Sequence, residues 1–200
     1  MFSAFLNAGD AKRASDVVER VLASGLRACA LTGGLAIAAQ LRAHGHAVGE
    51  YALNDVDLVV DDFAAIPAAL AGRFLLNHIH PSAPEGKTLL QLIDRERALR
   101  VDLFRTLGRT LSRARVLDTR TGLPVLAVED LVARTTAHVC GRLRRNLEID
   151  AKYVRAFMRL TTLGRPTHLT EAWHDHRQDV PGTLEEATQE AHQLLARHPS

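Results

Sequence analysis

The order of segments between residues 27 and 60 constrains the fold of this 200-residue chain more than any other feature. Segment 27–31 is typical of a short buried strand, which the glycine pair Gly33-Gly34 closes. A helical run at 35–43 follows, and after a loop comes a second apolar strand at 54–60. This alternation predicts an α/β unit in which a tight glycine turn joins strand to helix.

Two acids, Asp55 and Asp57, stand at the start of the second strand. Because they occupy positions i and i+2, their side chains are expected to project from the same face. Two carboxylates held this close repel each other, and hard divalent ions such as Mg²⁺ prefer such oxygen ligands. A third acid, Asp102, lies in the apolar run 99–104 and would complete the site. The pattern therefore predicts a metal centre at these three acids.

The Gly33-Gly34 turn is expected to let backbone N–H groups approach a phosphate, because neither residue carries a Cβ atom. Each motif also has a structural interpretation. An acid-x-acid pair is common at loop entries and helix caps, and a glycine pair suits any tight turn. The combination with a third acid on a separate strand is much less common by chance, and the functional interpretation depends on that combination.

Thr32-Gly33-Gly34, Asp55-Val56-Asp57 and Asp102 resemble the signature of the nucleotidyltransferase superfamily. Within it, the chain is most similar to the AbiEii-type nucleotidyltransferases of bacterial toxin–antitoxin and phage-defence systems. Segment 123–134 adds to this, because a proline-containing strand there leads into a helix beginning Glu129-Asp130-Leu131. The resemblance extends over residues 25 to 160.

The resemblance implies transfer of a nucleoside monophosphate from an NTP to an acceptor hydroxyl on a tRNA end, a protein or a small molecule. Asp55, Asp57 and Asp102 would be the catalytic residues and would hold two Mg²⁺ ions, with Mn²⁺ as an alternative. Thr32, Gly33 and Gly34 would cradle the triphosphate. A cognate antitoxin protein is a further partner that the resemblance implies.

Two departures from the family pattern accompany the resemblance. Asp55 stands 21 positions after Gly34, so the intervening loop carries an insertion. The helix after Glu-Asp-Leu usually carries a lysine, where this chain has Thr135. We expect Arg105 or Arg134 to supply the missing positive charge, with Arg105 favoured because it follows the Asp102 strand. The alternative is a catalytically impaired protein of the same fold that acts as a binding or antitoxin-coupled module.

The pattern changes near residue 127, from alternating strands and helices to helices alone. Apolar periodicity beyond that point predicts four helices, at 128–139, 147–163, 169–177 and 184–196. We therefore expect an α+β protein with the nucleotidyltransferase fold. In it, a short mixed sheet is flanked by helices over residues 1–127, and a helical subdomain covers 128–200.

Two further acids follow the second strand directly. Asp61 and Asp62 are interpreted as helix-capping acids and excluded from the site, because acids are favoured at the positive end of a helix dipole. A hydrophobic share of 46% suits a globular protein with a sizeable core.

Charge and cysteine content exclude several classes of protein. A net charge of +2 predicts neither nucleic-acid nor membrane binding. Two cysteines, Cys29 and Cys140, provide no disulfide framework and no metal-ligand spacing, which favours a reducing cytoplasmic setting. No apolar stretch approaches the ~20 residues of a membrane span, and the first residues lack the pattern of a signal peptide.

Overall fold

The buried strand predicted before the glycine pair lies near the centre of a seven-stranded mixed sheet. A computed structural model describes residues 1–49, 51–79, 89–163 and 169–197 of the chain. The strands are β1 (Cys29–Leu31), β2 (Asp55–Val60), β3 (Leu75–Ile79), β4 (Leu89–Asp94), β5 (Leu99–Arg105), β6 (Arg115–Val116) and β7 (Pro124–Val125). Their order is β3-β4-β5-β2-β1-β7-β6, with β2/β5 and β1/β7 parallel and the other neighbours antiparallel.

Seven α-helices accompany the strands in the described residues. They are α1 (Ala8–Ala23), α2 (Gly33–Ala43), α3 (Thr110–Arg113), α4 (Val128–Arg144), α5 (Ala151–Leu160), α6 (Leu169–His176) and α7 (Leu184–Arg197). No helix of this part of the chain combines the length and the apolar character needed to cross a membrane. The protein is thus a mixed α+β structure whose sheet is flanked by helices, as the sequence predicts at this coarser level.

The chain divides into two compact units. The first comprises residues 1–106 and 111–126, and the second comprises 107–110 and 127–200. The sheet, α1 and α2 belong to the first unit, whose core contains fully buried side chains from β1, β2 and β5, among them Leu31, Leu58 and Leu103. Apolar runs on these strands explain the burial, because a central strand is covered on both faces.

The second unit is helical and has its own core around Phe157 and Trp173. The Trp173 indole N–H donates to the Gly182 carbonyl at 2.8 Å, which satisfies the one polar atom of this buried side chain. Asp130, from the Glu-Asp-Leu motif, is fully buried, and its carboxylate lies 3.0 Å from His176 Nε2. The carboxylate of this motif therefore links α4 to α6 inside the second unit.

Local chemistry explains where two predicted elements differ from expectation. The helix predicted from residue 147 begins only at Ala151, because Asp150 caps it by accepting the Lys152 N–H at 2.8 Å. Asp62 caps only a short 3-10 helix, Phe63–Ala65, by accepting the Ala64 N–H at 3.1 Å. Asp62 is thus a capping acid, as predicted, although the helix that it caps is a single 3-10 turn.

Candidate functional site

The register between β2 and β5 brings the three predicted acids together. Asp57 lies opposite Asp102 in this parallel pair, and Asp55 lies opposite Arg100. One carboxylate oxygen from each of Asp55, Asp57 and Asp102 lies within 4.8 Å of the other two. No other group of three histidine, cysteine or acidic side chains in the described residues meets this spacing. We call these three residues the acidic cluster.

A row of polar side chains crosses the sheet at the level of the acidic cluster. Asn77 on β3 pairs with Gln91 on β4, which pairs with Asp102 on β5, which pairs with Asp57 on β2. The Asn77 amide donates to Gln91 Oε1 at 3.3 Å, and Gln91 Nε2 donates to Asp102 Oδ1 at 3.0 Å. Since Gln91 and Asp102 are both buried, this chain of amides fixes the orientation of the Asp102 carboxylate.

The glycine turn lies directly against the acidic cluster. Gly33 begins α2 in the left-handed region, with φ of +64°, and a Cβ atom there would lie 1.8 Å from Asp57 Oδ2. The Thr32 N–H donates to the Asp57 carbonyl at 2.9 Å, which ties the turn to β2. Gly33 is therefore required for its backbone conformation and for the space that the Asp57 carboxylate occupies.

Tyr51, from the long loop before β2, covers the other glycine. A Cβ atom at Gly34 would lie 1.6 Å from Tyr51 Oη, so the phenol hydroxyl occupies the space beside the turn. The Tyr51 backbone N–H donates to the Phe5 carbonyl at 3.0 Å, which anchors the loop. The Tyr51 hydroxyl therefore lies against the Gly34 backbone, beside the turn that the sequence predicts to bind phosphate. The sequence offered no periodicity in this loop from which the contact could be predicted.

Arg100 contacts two members of the acidic cluster. Its Nη2 atom forms a short ion pair with Asp55 Oδ2, and its Nε atom lies 3.0 Å from Asp102 Oδ1. Strand alternation places Arg100 on the same face as Asp102, two residues away, and 45% of its side chain remains exposed. The guanidinium thus bridges two carboxylates that the sequence assigned to metal ions.

Burial and charge act in opposite directions on Asp102. Burial raises the pKa of the Asp102 carboxyl above its usual value, and the attraction of Arg100 and the Gln91 hydrogen bond partly offset that rise. The negative charge of Asp55 adds to the increase. A bound cation would favour the ionised form, because it supplies positive charge to three adjacent carboxylates.

The acidic cluster fits a divalent metal ion. Its donors are carboxylate oxygens, the ligand type that Mg²⁺ and Mn²⁺ prefer, and one oxygen of each carboxylate lies within 4.8 Å of the other two. The space left by the missing Cβ of Gly33 admits the Asp57 carboxylate to this position. A metal site at the acidic cluster is consistent with the sequence prediction.

The two arginines predicted to supply positive charge, and the residue in place of the expected lysine, have different surroundings. Arg105 is exposed at the end of β5, where strand alternation directs it to the face opposite Asp102. Thr135 is a buried residue of α4, and Arg134 is half-buried in the same helix. Arg100, rather than Arg105, is therefore the β5 arginine at the acidic cluster. The alternation along β5, which places Arg100 on the face of Asp102, was the available signal.

A shallow cavity of about 280 Å³ lies between the first residues of the chain and the loop at 48–49. Its lining includes Asn7, Val48 and Gly49, and none of the cluster carboxylates contributes to it. Since its lining residues carry no charged side chain, the cavity offers no charged group to a phosphate. The chemistry of the site therefore depends on the acidic cluster and the adjacent turn.

Comparisons with known proteins add no family assignment. A scan against protein-family models gave no match, and a search of curated proteins gave no significant relative.

Proposed function

We propose that the protein is a metal-dependent nucleotidyltransferase, which transfers a nucleoside monophosphate from an NTP to an acceptor hydroxyl and releases pyrophosphate. The observation that carries this proposal is the convergence of Asp55, Asp57 and Asp102 beside Gly33 at the start of α2. The three carboxylates provide ligands for cations, and the adjacent helix N-terminus provides N–H donors for phosphate. The resemblance in the sequence implies the same combination of groups.

Each element of the site has a role in this reaction. Asp55, Asp57 and Asp102 would hold two Mg²⁺ or Mn²⁺ ions. Bound metal would neutralise charge on the attacking and leaving oxygens of an in-line displacement. The Asp102 carboxylate, oriented by Gln91, would accept the proton of the incoming hydroxyl. Backbone N–H groups of Gly33 and Gly34 would donate to phosphate oxygens.

The acceptor belongs to one of three classes, namely a tRNA end, a protein hydroxyl or a small molecule. A cognate antitoxin would be the protein partner. A net charge of +2 gives no general attraction for a polyanion, so a tRNA acceptor would depend on local contacts. The proposal therefore names an NTP as the donor and leaves three classes of acceptor.

A second candidate is a catalytically impaired protein of the same fold that acts as a binding or antitoxin-coupled module. Arg100 favours this candidate, because its guanidinium already pairs with two of the carboxylates. Thr135 favours it too, because it replaces a lysine expected to steady phosphates. The two candidates differ in a single measurable property, which is turnover of an NTP.

Incubation with each of the four radiolabelled NTPs, Mg²⁺ and total tRNA tests the proposal, with a parallel reaction lacking tRNA. We expect label transfer by the wild type and loss of ~10³-fold or more in Asp102→Asn, because this change removes both a ligand and a proton acceptor. Asp61→Asn is the matched control, since Asp61 is an exposed acid just beyond β2. Equal activity of Asp102→Asn and wild type would contradict the proposed mechanism.

A further inference from the structure

Arg100 occupies the position at which a metal ion would be expected to act. Its guanidinium bridges Asp55 and Asp102 through different nitrogen atoms, and both carboxylates belong to the acidic cluster. A point-charge lysine could not span the two carboxylates in this way, because bridging depends on the planar fork of the guanidinium. Arg100 thus supplies a positive charge to the site from the protein itself.

A divalent ion and this guanidinium are poorly compatible in the same place. An ion bound among carboxylates that lie within 4.8 Å of one another would sit close to any cation bridging two of them. Like charges at such a separation repel strongly in a partly buried site. Since nearly half of the Arg100 side chain is exposed, the guanidinium has solvent into which it can rotate.

We propose that Arg100 is the resident cation of the metal-free acidic cluster, that metal binding displaces it, and that the displaced guanidinium then binds the triphosphate of the substrate. This inference rests on the proposed function and adds a phosphate-binding residue to it. Arg100 would couple two events, because metal binding releases the guanidinium and the phosphate then captures it. The apparent metal affinity of the free protein is the intrinsic affinity multiplied by the fraction of molecules in which Arg100 has released the carboxylates.

Titration with Mn²⁺ alone, followed by the electron paramagnetic resonance signal of free Mn²⁺, tests the first step. We expect Arg100→Gln and Arg100→Lys to bind Mn²⁺ ~3–10-fold more tightly than the wild type, because the competing ion pairs are lost or weakened. Arg100→Lys keeps the net charge, so tightening in this variant separates occupancy of the site from simple loss of charge. Arg105→Gln is the matched control and should lie within about twofold of the wild type, because Arg105 is exposed on the other face of the same strand.

Titration with a preformed complex of Mn²⁺ and inorganic triphosphate tests the second step. We expect both Arg100 variants to bind this complex about fivefold or more weakly than the wild type, because a bidentate guanidinium–phosphate contact is lost. Tighter binding of the metal and weaker binding of the metal–triphosphate complex by the same variant is the signature of the proposed exchange. A general loosening of the structure would weaken both.

The outcomes separate this inference from the proposed function. Unchanged or weaker Mn²⁺ binding by Arg100→Lys and Arg100→Gln would overturn the displacement, and unchanged triphosphate binding would overturn the phosphate contact. In either case, loss of Mn²⁺ binding in the Asp55→Asn/Asp57→Asn variant would leave the proposed metal centre standing. If that double variant binds Mn²⁺ as the wild type does, the metal centre and the inference both fail.

Discussion

The β4–β5 hairpin carries two buried carboxylates with opposite surroundings. Asp94, at the end of β4, is completely buried and accepts hydrogen bonds from the backbone N–H groups of Glu96 and Arg97 at 3.0 and 3.2 Å. It also pairs with the Arg20 guanidinium at 2.8 Å, and the Arg97 guanidinium lies 3.6 Å away. Because all of these groups offer N–H donors, the Asp94 charge is matched within the fold.

Asp102, in the other strand of the same hairpin, has a different set of neighbours. It accepts a hydrogen bond from Gln91 and pairs with Arg100, but it also lies near two further carboxylates, those of Asp55 and Asp57. Arg100 divides its single positive charge between Asp102 and Asp55. Burial alone therefore does not distinguish a structural acid from a metal ligand; the balance of charge around it does.

The largest effect on stability is expected from Asp94→Ala. This change leaves Arg20 without its buried partner and two turn N–H groups without an acceptor, and it should lower the free energy of unfolding by about 3 kcal/mol. Urea denaturation measures the change. Glu96→Ala serves as the control, because it removes an exposed acid of the same turn and should cost less than about 1 kcal/mol. Equal losses in the two variants would mean that Asp94 is not the structural acid of the hairpin.

A smaller loss is expected from Gly33→Ala. Alanine at this position must keep the left-handed backbone conformation, and its Cβ atom collides with the Asp57 carboxylate. We therefore expect the free energy of unfolding to fall by about 2 kcal/mol and one cluster ligand to be displaced. Gly122 is a matched control, because it also has a positive φ, +61°, but no atom lies within 4 Å of its missing Cβ. Gly122→Ala should therefore cost only the backbone strain, about 1 kcal/mol. Urea denaturation of both variants isolates the clash with Asp57, and equal costs would show that no such clash exists.

The smallest effect, of opposite sign, is expected from Asp102→Asn without metal. The folded protein raises the pKa of Asp102, so ionisation of this group opposes folding, and that penalty is absent at acidic pH and grows as pH rises above about 4. Asparagine avoids the penalty and still accepts from Gln91. We expect the variant to be more stable than the wild type by less than about 1 kcal/mol at pH 7, with the difference vanishing near pH ~3. A variant less stable than the wild type at pH 7 would show that Arg100 dominates the surroundings of Asp102.

Much of the local structure could be predicted from the sequence. The glycine turn, the apolar strands at 54–60 and 99–104 and the start of the helical region near residue 127 all follow from apolar periodicity and turn residues. The acids could be chosen because carboxylates on apolar strands are unusual. These features depend on residues close together in the chain, where short-range rules apply.

The parts that escaped prediction depend on contacts between distant segments. Pairing of β2 with β5 sets Asp57 opposite Asp102, and this register cannot be deduced from either strand alone. The same register brings Arg100 beside Asp55. The arginine at the acidic cluster is therefore Arg100, where the sequence analysis favoured Arg105. Tyr51 reaches Gly34 from a loop without periodicity, so only the folded chain reveals it.

The central claim, that the acidic cluster binds a divalent metal ion, is tested most directly by thermal unfolding with and without Mn²⁺. Binding to the folded state alone stabilises it, by about 2.7 kcal/mol when the ion is at about 100 times its Kd. We predict that Mn²⁺ raises the Tm of the wild type and of Asp61→Asn/Asp62→Asn, a control that removes two neighbouring exposed acids, but not that of Asp55→Asn/Asp57→Asn. An equal rise in all three proteins would contradict the claim, because the metal would then be binding elsewhere.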